Sequence, residues 1–261
     1  WHKSKIWRFP SIVRSYPISE TQFEVGNAFG GPIFLASPPD APLGSTWAEF
    51  RGGVEAPIYQ HGSTSFSEWQ IIRNRSAPWA EISSDQFIMS VPSSEIRGLD
   101  NPEELMDFWV EALEMEHELY GFMPWPRIER AAFDIQISAG WMHSGYPFMA
   151  HLVSAQEAVD LEHMESEGSW GMFHELGHNH QWNPSRLPGT TEATCNFASV
   201  YLMEDLVGRD LGHSALSPQQ RHQRMESYFQ GGADIDDWSV WTALDTYLII
   251  KEEWGWAPIT Q

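Results

Sequence analysis

His174 and His178 stand four residues apart in the run His-Glu-Leu-Gly-His, with Glu175 beside the first of them. On an α-helix that spacing sets both imidazoles on one face, about one turn apart, where each can give a nitrogen to the same tetrahedral cation. Glu175 is then placed to take a proton from a water that the cation has made acidic, and to pass it to a leaving amine. The chemistry these residue types suggest is metal-assisted hydrolysis of an amide, with one Zn2+ per chain.

A catalytic zinc keeps three protein ligands and leaves its fourth position open. Glu192, fourteen positions after His178, is the best third ligand. Asn183-Pro184 and Leu187-Pro188-Gly189 lie between and would turn the chain back on itself, so that two helices face one another. Glu192 falls in the first turn of its helix, where a carboxylate is favoured even without metal. One turn on, Asn196 shares its face and could accept the spare ring N–H of a metal-bound histidine; an ordinary helix-interior asparagine is the equal alternative. Gly177 costs about 1 kcal/mol inside a helix, so it either admits a close neighbour or is plain structure. The group that steadies the oxyanion is expected from Tyr201, His222, Tyr228 or Tyr247, and spacing does not choose among them.

Other candidates carry less. His180 is six residues from His174 and points off the metal face, into a structural or cleft-wall role. His117-Glu118 copies half of the signature, but Gly121 and Phe122 follow where the second histidine would be needed, and the pair reads as a solvated helix face. His143, His151, His163 and His213 stand alone. Cys195, the only cysteine, excludes an internal disulfide and reads as a buried thiol. Phosphate-binding glycine loops and a serine nucleophile elbow are absent. Among the 14 tryptophans, mostly core, Trp141, Trp170 and Trp182 fall nearest the expected cleft and could stack on sugar.

The 261 residues are 42% hydrophobic and carry a formal net charge of −21, from 15 basic and 36 acidic side chains. Such a surface repels phosphate backbones and anionic lipid, so no nucleic-acid partner is expected. No stretch approaches the roughly 18 apolar residues of a membrane span, so no direct membrane insertion is expected either.

The elements that must position the site fall into two parts. Residues 1–98 read as a β-rich lobe, with strands over Ile12–Tyr16, Gln22–Val25, Pro32–Ala36, Pro57–Gln60 and Gln86–Val91 between Pro and Gly clusters. Residues 99–261 read as mainly helical. Asn101-Pro102 opens a helix ending at Gly121, with a stripe of Leu105, Phe108, Ala112, Met115 and Leu119. A buried strand at Phe133–Ile137 follows, then helices over 154–167, 169–182 and 189–207, one from Ser217, and one from Asp236 or Asp237. The whole is an α+β fold with the signature helix between its lobes, one catalytic domain over residues 1–261. Opening at Trp1 and ending after a Trp-rich helix, the chain looks like an excerpt of a longer protein with further domains.

The stretch from Gly171 to Trp182, followed by Thr190-Thr191-Glu192-Ala193-Thr194-Cys195-Asn196, resembles the enhancin and mucinase type of gluzincin metallopeptidases. Within that group it looks most like the peptidase-like domain of the TRP channel-associated factors. Gly30–Leu35, Ala77–Glu81, Gln136–Pro147 and Trp238–Tyr247 share the likeness, which spans nearly the whole chain. The resemblance implies zinc on His174, His178 and Glu192, Glu175 as general base, and a protein or glycoprotein substrate of O-glycosylated, mucin-like type. It also implies that Gly30–Leu35 forms a cleft-edge strand for substrate backbone. Gly30, Gly31, Trp141 and His143 are the substrate-binding residues that follow from it. The alternative is a non-catalytic module that keeps the peptidase fold and regulates a membrane channel or other protein.

Overall fold

The computed structural model describes residues 13–37, 44–45, 47–121, 127–182, 186–210 and 212–260. Within these, six strands form one sheet: β1 (Ile58–Gln60), β2 (Trp79–Ser83), β3 (Phe87–Pro92), β4 (Glu129–Asp134), β5 (Met142–His143) and β6 (Phe148–His151). Their order across the sheet is β1-β2-β3-β4-β6-β5. The pairs β1/β2, β3/β4 and β4/β6 are parallel, while β2/β3 and β5/β6 are antiparallel. Alternation explains the strands. Ala80 and Ile82, then Phe87, Met89 and Val91, then Ala131 and Phe133, point into the core, and their neighbours face away.

The described helices are α1 (Phe66–Ile72), α2 (Ser93–Ile96), α3 (Pro102–Tyr120), α4 (Ser154–Ala158), α5 (Leu161–Ser166), α6 (Trp170–His180), α7 (Thr191–Tyr201), α8 (Pro218–Gln230), α9 (Val240–Trp254) and α10 (Ala257–Thr260). The central helix α3 follows its punctuation: proline in the first turn, then Gly121 at φ 67° closing the end with its N–H on the Glu118 carbonyl. Trp109 fills the space between sheet and helices, against Phe87 and Phe173, and its indole donates to the Ala158 carbonyl at 3.0 Å. A second apolar cluster gathers Ala193, Phe197 and Ala198 of α7 with Leu244 and Leu248 of α9. The end of α7 widens into a π-turn over Leu202–Leu206 before Gly208.

Several expectations are corrected here. Residues 13–16, 22–25 and 32–36 form no strand, while Ile12 lies outside the described residues. Trp79–Ser83 is a strand that the punctuation did not announce, and α1 interrupts the β-rich stretch with a full capping box of Ser65 and Glu68. The helix expected over 154–167 is two, broken at Val159-Asp160, where Asp160 caps the second through the His163 amide. The last long helix begins at Val240 under a Ser239 cap, because Ile235–Asp237 form a separate turn of 3₁₀-helix. The expected strand at Phe133–Ile137 is shifted to Glu129–Asp134. No described helix is long and apolar enough to cross a membrane.

Candidate metal centre

Helix α6 presents three faces. Met172, Phe173 and Leu176 are buried in the core, His174 and His178 stand half-buried toward solvent, and Gly177 meets α7. A methyl group on Gly177 would come within 3.2 Å of Cα of Cys195 and 3.3 Å of Cβ of Ala198. The bare glycine therefore lets the two helices cross closely, which carries the first turn of α7 over the two histidines. Gln181, just past α6, strengthens that crossing: its amide donates to Thr194 Oγ1 at 2.7 Å and to Cys195 Sγ at 2.6 Å. Leu187-Pro188-Gly189 enters α7 with Gly189 at φ 78°, whereas Asn183-Pro184 falls outside the described residues.

The crossing brings Glu192 Oε2 to 3.2 Å from Nε2 of His174 and 3.3 Å from Nε2 of His178. The two rings stand edge to face with centroids 4.7 Å apart. Among the described residues no other trio of His, Cys, Asp or Glu gathers one ligand atom from each within 4.8 Å. The edges of a tetrahedron around zinc, with bonds of about 2.0–2.1 Å, measure about 3.3–3.4 Å, so the two histidine-to-carboxylate separations match those such an ion needs, and all three atoms lie within 4.8 Å of one another. Glu192 remains 52% exposed, which leaves the far side of the trio open to solvent. Burial, then the neighbouring His178, holds His174 below the usual imidazole range, which favours the neutral form that binds metal.

Glu175 is 8% exposed, and burial together with the Glu192 carboxylate raises its pKa to about 7; the backbone N–H of Ser144 pulls the other way. That amide is held in place by Asn179, whose side chain spans Gly145 with two bonds of 2.9 Å. Asn196 Oδ1 lies 2.8 Å from Nδ1 of His174 and accepts from the Trp170 indole at 3.2 Å. Ser144, Asn179 and Gln181 were given no task in the sequence, and Trp170 only that of a sugar-stacking ring near the cleft. An Asn-His-Gln run after the signature and a Trp four residues before it were visible, but only the tertiary contacts give them tasks.

Other expected residues are spread more widely. Trp141 is 46% exposed, stacks on His151 at 4.6 Å, and helps line a cavity of about 460 Å³ shared with Met142, Glu157, Ser169, Trp170 and Glu175. His143 bonds Ser138 and the Ser144 carbonyl, each at 2.9 Å. Gly30 and Gly31 lie in an exposed segment outside the sheet, so the Gly30–Leu35 strand implied by the resemblance is not formed; two consecutive residues at φ 68° and 118° depart from strand geometry. The sheet edge that runs beside α6 is β5. Of the four oxyanion candidates, Tyr247 bonds Thr190, two residues before Glu192, at 3.0 Å, while Tyr201 bonds Glu118, Tyr228 bonds the Asp234 carbonyl and His222 is exposed on α8. Cys195 is buried, and burial drives its thiol far above the usual range.

His180 is fully buried and bonds Glu116 at 2.9 Å, in keeping with a structural role. His117 corrects the reading of a solvated face. It is 8% exposed and meets His180 edge to face at 4.8 Å, on a buried face of α3, while Glu118 lies on the exposed face with Glu111 and Glu114.

The model of the family described as peptidase M60, enhancin and enhancin-like, matches residues 52–261. The chain belongs to that family. Among curated relatives, TRPM8 channel-associated factor 2 of Bos taurus is 43% identical over 99% of this chain and 29% of its own length. The TRPM8 channel-associated factor homolog of Xenopus laevis is 42% identical over 98% and 29%. The chain thus spans less than a third of these relatives. A conserved protein of unknown function from Bacillus anthracis shares the fold, with a TM-score of 0.64 at 18% identity over 77% of this chain and 44% of that one. Membership of the M60 family carries a metallopeptidase-like fold and implies a metal.

Proposed function

We propose that this domain is a zinc-dependent endopeptidase that hydrolyses peptide bonds in O-glycosylated, mucin-like proteins. The observation that carries the reading is the convergence of ligand atoms from His174, His178 and Glu192 within 4.8 Å of one another beside a buried Glu175. A zinc ion held by those three residues supplies a Lewis acid that acidifies water and polarises a carbonyl. Glu175 takes the proton of the attacking water and hands it to the departing amine, and the Ser144 amide keeps its carboxylate aimed. Asn196 orients the His174 ring. The β5 edge offers backbone groups to an extended substrate, and Trp141 offers an aromatic wall to a sugar beside Glu175.

Incubation with an O-glycosylated protein, followed by mass spectrometry of the fragments, tests this. Wild-type protein is expected to carry about one zinc and to cut; Glu175→Gln is expected to keep the zinc and lose about 10²–10⁴-fold in kcat/KM. Cleavage that survives the substitution overturns the reading.

The kinship with TRPM8 channel-associated factors supports a second reading, a non-catalytic module that binds a channel or other protein. It expects no cleavage of any glycoprotein and partner capture indifferent to Glu175→Gln.

A further inference from the structure

We infer that Trp170 is a positioning residue for this centre: through Asn196 it dictates which nitrogen of His174 carries the hydrogen. The inference rests on the metal-site reading above. An indole N–H only donates. Trp170 Nε1 lies 3.2 Å from Oδ1 of Asn196, so the amide must present oxygen there, since an NH₂ would set donor against donor. That same oxygen is 2.8 Å from Nδ1 of His174. An amide oxygen only accepts, so Nδ1 carries the hydrogen, and in a neutral ring Nε2 is left as a bare lone pair. Nε2 is the atom that faces Glu192 Oε2 at 3.2 Å. A lone pair and a carboxylate oxygen at that distance repel unless positive charge lies between them, so the indole keeps the trio poised for a cation.

Without the indole N–H, the Asn196 amide is free to turn over and offer its NH₂ to Nδ1. The hydrogen then moves to Nε2, which bonds Glu192 directly, and the site satisfies itself without metal. The fold guards against this. Trp170 opens α6, and its ring packs on His213 at 5.1 Å and Trp241 at 6.3 Å, two rings that stack on each other at 4.6 Å. Ser199 Oγ also bonds the Trp170 carbonyl at 3.2 Å.

Nitrogen NMR of histidine-labelled, metal-free protein reads the tautomer, and competition with a chromophoric chelator reads zinc affinity. The wild type is expected to hold His174 as the Nδ1–H form. Trp170→Phe, which keeps a ring but loses the N–H, is expected to mix the tautomers and weaken zinc binding about tenfold. Trp241→Phe, which thins the stack but spares the bonded nitrogen, is expected to leave both readouts in place. An Nε2–H ring in the wild type overturns the inference, and that measurement does not depend on any variant folding. So does a Trp170→Phe protein with unchanged tautomer and affinity. A wild type that takes up no zinc sinks the metal reading instead, and the tautomer still judges this one.

Discussion

His117 shows what burial does to a residue with no part in the chemistry. Desolvation, with the His180 ring pressed against it, lowers its pKa from 6.5 to about 4, while Glu114 opposes the shift. A folded-state value below the unfolded one favours the neutral ring. Its share of stability is therefore whole above about pH 6.5 and drains as pH falls toward 4, by up to about 3 kcal/mol. Glu116 runs the opposite way, since burial and Glu129 raise its pKa and its ionisation burdens the fold as pH rises. His117→Phe should flatten the acid limb of stability, and urea unfolding at pH 7 and at pH 4.5 measures it; an unchanged slope would discount the shift. At this scale, the spacing of His174, Glu175 and His178 could be read directly, because one helical turn fixes it. Glu192 could be nominated because a helix start and two proline turns bracket it. Ser144 could not, since it acts through a backbone amide and its own side chain says nothing.

Helix ends were legible and strand partners were not. Asn101-Pro102, Gly121, Ser217-Pro218 and Gly208 are local signals, and each marks an observed boundary to within a residue or two. A strand needs a partner far along the chain. Apolar runs such as residues 32–36 looked extended enough, yet no strand pairs with them, while Trp79–Ser83 gains its place by lying between β1 and β3. Asp160 misled in another way: as a cap it ends one helix and starts the next, where composition alone suggested continuity. The crossing of α6 and α7 rests on Gly177. Gly177→Ala gains up to about 1 kcal/mol of helix propensity but forces α7 backbone away at 3.2–3.3 Å, at a cost of about 1–3 kcal/mol. The expected outcome is a net loss of about 1 kcal/mol in chemical denaturation, with weaker zinc binding as Glu192 is pushed outward. A stabilised variant with unaltered zinc affinity would mean that the helices have slack.

At the scale of the whole molecule, charge and kinship set the terms. A formal charge of −21 makes the surface repel itself. Raising salt from about 10 mM to 150 mM, which shortens the screening length from about 30 Å to 8 Å, should lift Tm by a few degrees in a thermal melt. A Tm that falls would place the acidic groups in attractive networks instead. The relatives are more than three times as long as the matched segment. The three converging side chains belong to two helices joined by a ten-residue stretch, Gln181–Thr190, and only the closed crossing at Gly177 unites them. A nascent chain that has made α6 but not yet docked α7 has no assembled centre. Any cutting power is thus withheld during synthesis, and a domain that loosens falls silent before it can damage its neighbours.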